Sequence, residues 1–144
     1  MYHKIITENT INFILDQGEP SLNEQGNRAC KGVGDLRSPV GFLVGDDLYD
    51  PRIERVVASH QIVIDLVQEA LELPRFSDRQ EGVLHELEDS HNRAIGADNF
   101  RQEFIDNVLF YADADEFDIN PVARDVIIRW SQKHRSLGLS ASCL

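Results

Sequence analysis

Apolar residues recur at helical spacing along most of the chain, and this pattern predicts a mainly helical protein. Residues 1–17 form the first predicted helix, which stops at Gly18. Residues 50–137 contain further segments with the same period, so we expect about six helices in all and a helical bundle over this range. Residues 138–144 follow as a tail, and the length of 144 residues suits a single globular domain spanning 1–144.

Three of the helix starts are marked by capping chemistry. Asp50 and Asn120 each precede a proline, so a side-chain oxygen can accept from a free backbone N–H while the proline occupies the first helical position. Ser77 is followed three residues later by Gln80, which is the spacing of a capping box. We therefore predict that Asp50, Ser77 and Asn120 are structural caps.

Residues 28–45 break the helical pattern. This stretch contains four glycines and ends in an apolar, β-prone run after Pro39. Two short strands joined by a turn between Gly32 and Arg37 fit the composition, and such a hairpin needs a packing surface to persist. The predicted fold class is therefore α+β: mainly α, with one small antiparallel β-hairpin packed on the helices.

The charge balance changes what the protein is expected to bind. The chain has 25 acidic and 14 basic residues, a formal net charge of −11. Phosphate backbones require a basic surface, so no direct nucleic-acid ligand is predicted, whereas a protein partner with a basic surface would be attracted.

Compartment signals in the sequence are consistent with one another. No apolar run approaches the roughly 20 residues of a membrane span, and the first residues lack the features of a secretory signal. The two cysteines are far apart, which favours reduced thiols over a disulfide framework or a metal site. We expect a cytoplasmic protein that does not associate with membranes.

An acidic cluster lies at the predicted hairpin–helix junction and contains Asp46, Asp47 and Glu54 together with the cap Asp50. With Tyr49, the first three are candidate interaction residues. Grouped carboxylates can hold Mg²⁺ or Ca²⁺. However, Asp46 and Asp47 precede a helix start, where negative charge is favoured by the helix dipole. A structural role is the first interpretation, with contact to a partner as the functional alternative, and no metal site is predicted.

A second acidic cluster follows the fifth predicted helix and contains Asp113, Asp115, Glu116 and Asp118. It resembles a calcium loop, but the sixth and twelfth positions hold Asp118 and Arg124 where glycine and glutamate are needed. The sequence therefore predicts an acidic interhelical loop, with a docking surface as its functional interpretation.

Catalytic motifs are not found in the sequence. It contains no serine-hydrolase elbow, phosphate-binding loop or dinucleotide fingerprint. His85 and His91 are six residues apart, unlike the four-residue spacing of a zinc-binding helix, and His91 falls on an apolar stripe that favours a hydrogen-bonded core histidine. We predict no enzymatic activity and no cofactor.

The segment "CKGVGDLRSPVGFLVGDDLYDPRIE", residues 30–54, resembles a family of small uncharacterised proteins encoded by tailed phages and some bacteria. The chain departs from that pattern at Ser38, where the family has a second cysteine. The resemblance implies an accessory phage gene product, and small proteins of this kind often bind a host protein. The matching positions are Gly41, Leu43, Val44, Asp46, Asp47, Tyr49, Asp50, Pro51 and Glu54, with Leu84, Leu87 and His91 in a later element.

Three functional hypotheses follow from the sequence. The first is a non-enzymatic acidic accessory protein of phage type that binds and modulates or inhibits a host or defence protein in the host cytoplasm. The second is a virion structural or assembly protein, or a homo-oligomer whose basic C-terminal helix pairs with an acidic face of a neighbour. The third is a small-ligand-binding protein or metal-dependent enzyme centred on the hairpin–helix junction.

Overall fold

The computed structural model describes residues 2–114 and 120–140, with side chains from residue 6 onward in the first range and from residue 121 in the second. These residues form six α-helices and two short 3₁₀ helices. The α-helices are α1 (Tyr2–Gln17), α2 (Pro39–Val44), α3 (Gln61–Ala70), α4 (Asp78–Arg93), α5 (Phe100–Ala114) and α6 (Asn120–Lys133), and the 3₁₀ helices are Pro51–Arg55 and Arg135–Leu137. Residues 141–144 of the predicted tail lie outside the described ranges.

The four long helices pack around a shared apolar core. α1 packs against α4 and α6, and α5 packs against the same two helices. Fully buried side chains come from each of them, for example Ile14, Leu84, Phe104 and Ile127. The short helix α2 packs on α1, α3 and α4, and so extends the core to one side. The prediction of a mainly helical protein is confirmed, and no helix within the described ranges is long and apolar enough to cross a lipid bilayer.

The predicted α+β fold class is wrong, because the β-hairpin expected at residues 28–45 does not form. The described residues contain no β-strand, and only two isolated antiparallel bridges occur in this region, Leu22 with Arg28 and Lys31 with Arg37. The apolar run that we interpreted as the second strand is the helix α2. An apolar run that is buried on nearly every side has no amphipathic period, so its spacing cannot distinguish a strand from a short helix.

Local chemistry explains why this run is helical. Ser38 is the N-cap of α2, its hydroxyl accepts from the backbone N–H of Gly41 at 3.3 Å, and Pro39 opens the helix. This is the same cap-plus-proline pattern that Asp50 and Asn120 show in the sequence. Gly41 lets α2 approach the loop of residues 28–38, which we call the Cys30 loop, because a Cβ atom there would lie 1.9 Å from the carbonyl oxygen of Cys30.

The other predicted caps start different kinds of helix. Asp50 accepts from the backbone N–H of Arg52 at 2.9 Å, but the element that follows is a five-residue 3₁₀ helix. Ser77 and Gln80 form a complete capping box at the start of α4. The side chain of Asn120 lies outside the part of the chain that is described.

The close approach at Gly41 gives a stability test. Gly41→Ala should lower the free energy of unfolding by about 1–3 kcal/mol, because α2 or the Cys30 loop must shift to admit the methyl group. Urea denaturation followed by far-UV circular dichroism measures this loss. Gly26→Ala is the matched control: its Cβ would meet nothing within 4 Å, so only the positive φ of 80° opposes it and the cost should be about 1 kcal/mol. A Gly41→Ala protein as stable as the parent chain would contradict the described packing of α2.

Candidate functional site

Tyr49 and Glu54, two of the predicted interaction residues, form a hydrogen bond with each other. The Glu54 carboxylate accepts from the Tyr49 hydroxyl at 2.6 Å and from the backbone N–H groups of Cys30 at 2.6 Å and Lys31 at 3.1 Å. Burial alone would raise the pKa of the Glu54 carboxyl, but these hydrogen bonds outweigh burial and lower it. Burial, followed by the bond to Glu54, raises the pKa of Tyr49. These hydrogen bonds connect the 3₁₀ helix Pro51–Arg55 to the Cys30 loop. The carboxylate oxygens of Glu54 are therefore occupied by donors within the chain.

Asp46 has a different internal partner. Its carboxylate oxygens accept from Nε and Nη2 of Arg37 at 3.0 and 3.2 Å, in the two-pronged geometry that favours strong charge-assisted bonds. The hydrogen bond from Arg37 holds the pKa of the Asp46 carboxyl below its usual value. Arg37 itself is buried and also donates to the carbonyl groups of Gly34 and Leu36. Asp46 thus balances a buried guanidinium while most of its own side chain faces solvent.

A groove with a volume of about 570 Å³ lies between the end of α2 and the end of α3. Four carboxylates line it, and we call it the acidic groove: Asp46, Asp47, Glu69 and Glu72. Val44, Gly45, Leu48 and Ala70 complete its lining, which contains no basic side chain. Within the described chain, no basic side chain forms an ion pair with Asp47, Glu69 or Glu72, and all three residues are exposed.

Glu69 and Glu72 occupy electrostatically unfavourable positions. Both lie at the C-terminal end of α3, where the helix dipole already places partial negative charge and where cationic side chains are preferred. The last turn of α3 contains no basic residue. The groove therefore combines four carboxylates with the negative end of a ten-residue helix.

Glu72 also has an unfavourable backbone conformation. Its φ of 55° is the only positive value at a non-glycine residue in the described chain. The backbone N–H of Glu72 bonds to the carbonyl of Glu69 and that of Leu73 to the carbonyl of Gln68, which together form a Schellman motif. Glycine is preferred at the Glu72 position of this motif, since side chains destabilise left-handed backbone. A carboxylate at this position thus has both a conformational and an electrostatic cost.

The geometry of the groove suits several separate cations better than one metal ion. No group of three or more His, Cys, Asp or Glu side chains in the described part of the chain is arranged to hold a metal ion. The four carboxylates come from two separate segments, residues 46–47 and residues 69–72, so lysine or arginine side chains of a polypeptide could each pair with a different one. The apolar side chains of Val44 and Leu48 can contact the methylene groups of such side chains.

The second predicted acidic cluster is separate from this groove. Asp113 lies near the end of α5 and forms an ion pair with Arg124 of α6. It does not line the acidic groove. Asp115, Glu116 and Asp118 lie outside the described residues.

Sequence reasoning missed two of the four groove residues. Glu69 and Glu72 are 22 or more positions away from Asp47 in the chain, and only the packing of α2 on α3 brings these segments together. One local signal was present, namely two glutamates at a predicted helix C-terminus where basic residues are usual.

The thiol of Cys30 is not poised for chemistry. Burial raises its pKa to about 12, and the neighbouring carboxylates of Glu88 and Glu54 act in the same direction. Its sulfur lies 4.0 Å from Oε2 of Glu88. A thiol in this environment stays protonated at neutral pH and is a weak nucleophile.

Comparisons with known proteins do not assign the chain to a group. No protein-family model matches it, and no curated protein or solved structure shows significant similarity to it. The resemblance to small phage proteins therefore remains an expectation that is based on the motif at residues 30–54.

The raised pKa of Cys30 predicts slow labelling of the native protein. At pH 8 a pKa of about 12 leaves roughly one thiol in 10⁴ ionised, and the side chain is buried. In a Cys143→Ser background, a thiol-specific chromogenic reagent should react rapidly with Cys30 only after denaturant is added. Ser59→Cys in the same background places a thiol at an exposed position and should react at once. Rapid labelling of native Cys30 would contradict the described burial.

The left-handed backbone at Glu72 predicts that this residue of the acidic groove lowers the stability of the folded chain. Glu72→Gly should raise the free energy of unfolding by about 1 kcal/mol, because glycine adopts a φ of 55° without strain. Glu72→Gln removes the charge but keeps the strain, so the difference between the two variants isolates the backbone contribution. Chemical denaturation measures both, and a glycine variant no more stable than the glutamine variant would contradict the assignment of strain.

Proposed function

We propose that this chain is a non-enzymatic binding protein whose acidic groove docks on a basic surface of a protein partner. The observation that carries this proposal is the state of Asp47, Glu69 and Glu72, which are exposed in one groove without a basic partner among the described residues. Residues at binding surfaces often have features that reduce stability, and Glu72 has two of them.

The net negative charge of the chain supports a partner with a basic surface. The net charge of −11 repels nucleic acid and attracts basic proteins over distances of about a Debye length, roughly 8 Å at physiological salt. Within the groove, lysine or arginine side chains would exchange water for charge-assisted hydrogen bonds to carboxylates. Because these bonds form at a solvent-exposed surface, binding should weaken strongly as salt is added.

The resemblance to small phage proteins supports a narrower form of this proposal. A host or defence protein would be the partner, the host cytoplasm the location, and steric occlusion of its basic surface the mechanism. If that basic surface normally binds nucleic acid, the four carboxylates of the groove would compete with phosphates for the same lysine and arginine side chains.

Charge removal inside and outside the groove tests this function. The double variant Asp47→Asn/Glu69→Gln should lose a stoichiometric partner that the parent chain captures from host lysate, and salt should elute that partner. Glu24→Gln/Glu103→Gln removes the same charge from exposed positions outside the groove and should capture the partner as well as the parent chain does.

Two outcomes would contradict the proposed function. If the parent chain captures no stoichiometric partner, the proposed binding function is contradicted. If the groove variant captures the partner as well as the parent chain does, the groove is not the interface. Light scattering coupled to size-exclusion chromatography distinguishes the homo-oligomer hypothesis, since a partner that is a second copy of the chain would appear as a concentration-dependent dimer.

A further inference from the structure

A second cleft, with a volume of about 300 Å³, lies between α4 and residues 54–58, and Arg28 forms part of its lining. We call it the Arg28 cleft. It shares no lining residue with the acidic groove, so a ligand here would not occupy the surface proposed for the protein partner. Charged side chains of both signs surround it, and their hydrogen-bond partners decide which ligand it suits.

The acceptors in the wall of the cleft are largely occupied. The two oxygens of Glu54 accept from three donors of the chain, and those of Glu88 accept from the backbone N–H of Val40 at 2.9 Å and from Nη1 of Arg28 at 3.3 Å. Asp89 uses Oδ2 for Arg93 and for a tyrosine hydroxyl. Of these six carboxylate oxygens, only Oδ1 of Asp89 has no donor among the described residues.

The donors of the cleft are mostly unused. Arg28 is half-buried and commits only Nη1, to Glu88, which leaves the other N–H groups of its guanidinium without an acceptor in the described chain. Arg55 and His85 are exposed, and neither has a hydrogen-bond partner among the described residues. The side-chain oxygen of Asn92 faces His91, so its Nδ2 group is also available.

From this imbalance we infer that the Arg28 cleft binds a small molecule through a carboxylate or phosphate group. Two guanidinium groups, an imidazole and an amide supply donors from α4, from the loop before Cys30 and from the 3₁₀ helix. Guanidinium groups match the paired oxygens of both anions. The volume lies at the lower end of the range for small-molecule pockets and suits a ligand of a few heavy atoms.

The carboxylates in the wall of the cleft determine which interactions can bind the anion. Glu54 and Glu88 are fixed by backbone N–H groups, so they stay in place while an anion occupies the adjacent donors. Their charge opposes long-range attraction, and short directed hydrogen bonds must therefore carry the affinity. An ion with no directional acceptors, such as chloride, should bind poorly.

Titration of the ¹⁵N-labelled chain by NMR tests this inference. Inorganic phosphate and acetate are added separately, at an ionic strength kept constant with sodium chloride. Saturable shifts are expected at the side-chain amide of Asn92 and at the backbone amide of Ala58, both of which line the cleft. Saturation by phosphate alone identifies a phosphate-bearing ligand, whereas saturation by acetate identifies a carboxylate ligand.

Matched variants distinguish the cleft from a general effect of charge. Arg55→Gln should weaken anion binding about tenfold, the expected loss for one charge-assisted hydrogen bond. Arg75→Gln removes the same charge from an exposed position outside the cleft and should change the affinity less than twofold. Both positions are exposed, so both variants should fold, whereas Arg28 supports the buried Glu88 and is left intact. Absence of saturable shifts with either anion, or equal weakening by the two variants, would overturn the inference.

Discussion

The buried carboxylate of Glu88 is the interaction on which the rest of the structure depends. Among the described residues it is the only acidic side chain in the core. Burial raises the pKa of Glu88, because the charged form loses its hydration. The backbone N–H of Val40 and the guanidinium of Arg28 offset part of that loss. Since Val40 lies in the first turn of α2, a residue of α4 satisfies one of the free N–H groups of α2 and fixes where the short helix can sit.

The same helix fixes the preceding loop through a second buried polar group. One turn of α4 later, Nε2 of His91 accepts from the backbone N–H of Ser21 at 2.9 Å. Burial lowers the pKa of His91 to about 4, so the imidazole is neutral at physiological pH and Nε2 is able to accept. The predicted hydrogen-bonded core histidine is confirmed. Together, Glu88 and His91 make α4 the support for residues 18–38, a segment with no helix or strand of its own.

Two groups of acidic residues in this chain therefore have different consequences. Glu54 and Glu88 have their oxygens occupied by internal donors, and they position the Cys30 loop, α2 and the wall of the Arg28 cleft. Asp47, Glu69 and Glu72 have no basic partner in the described chain and stabilise nothing that is visible in the fold. The second group, together with Asp46, lines the proposed binding surface, and Glu88 of the first group fixes α2, whose end forms one side of that surface.

Local sequence patterns are enough to predict the long helices and where they start. The amphipathic stripes of α3 and α4 and the capping box at Ser77 are local patterns, and each has one structural solution. The sequence by itself did not determine the element at residues 39–44, because a run buried on nearly all sides has no period, and the fold there is set by Ser38, Gly41 and the distant Glu88. Tertiary structure alone placed Glu69 and Glu72 beside Asp47 and used Tyr49 and Glu54 as an internal tie. The physical reason is that helix periodicity and capping act within a few residues, whereas hydrogen-bond partners and groove walls come from segments that only packing brings together.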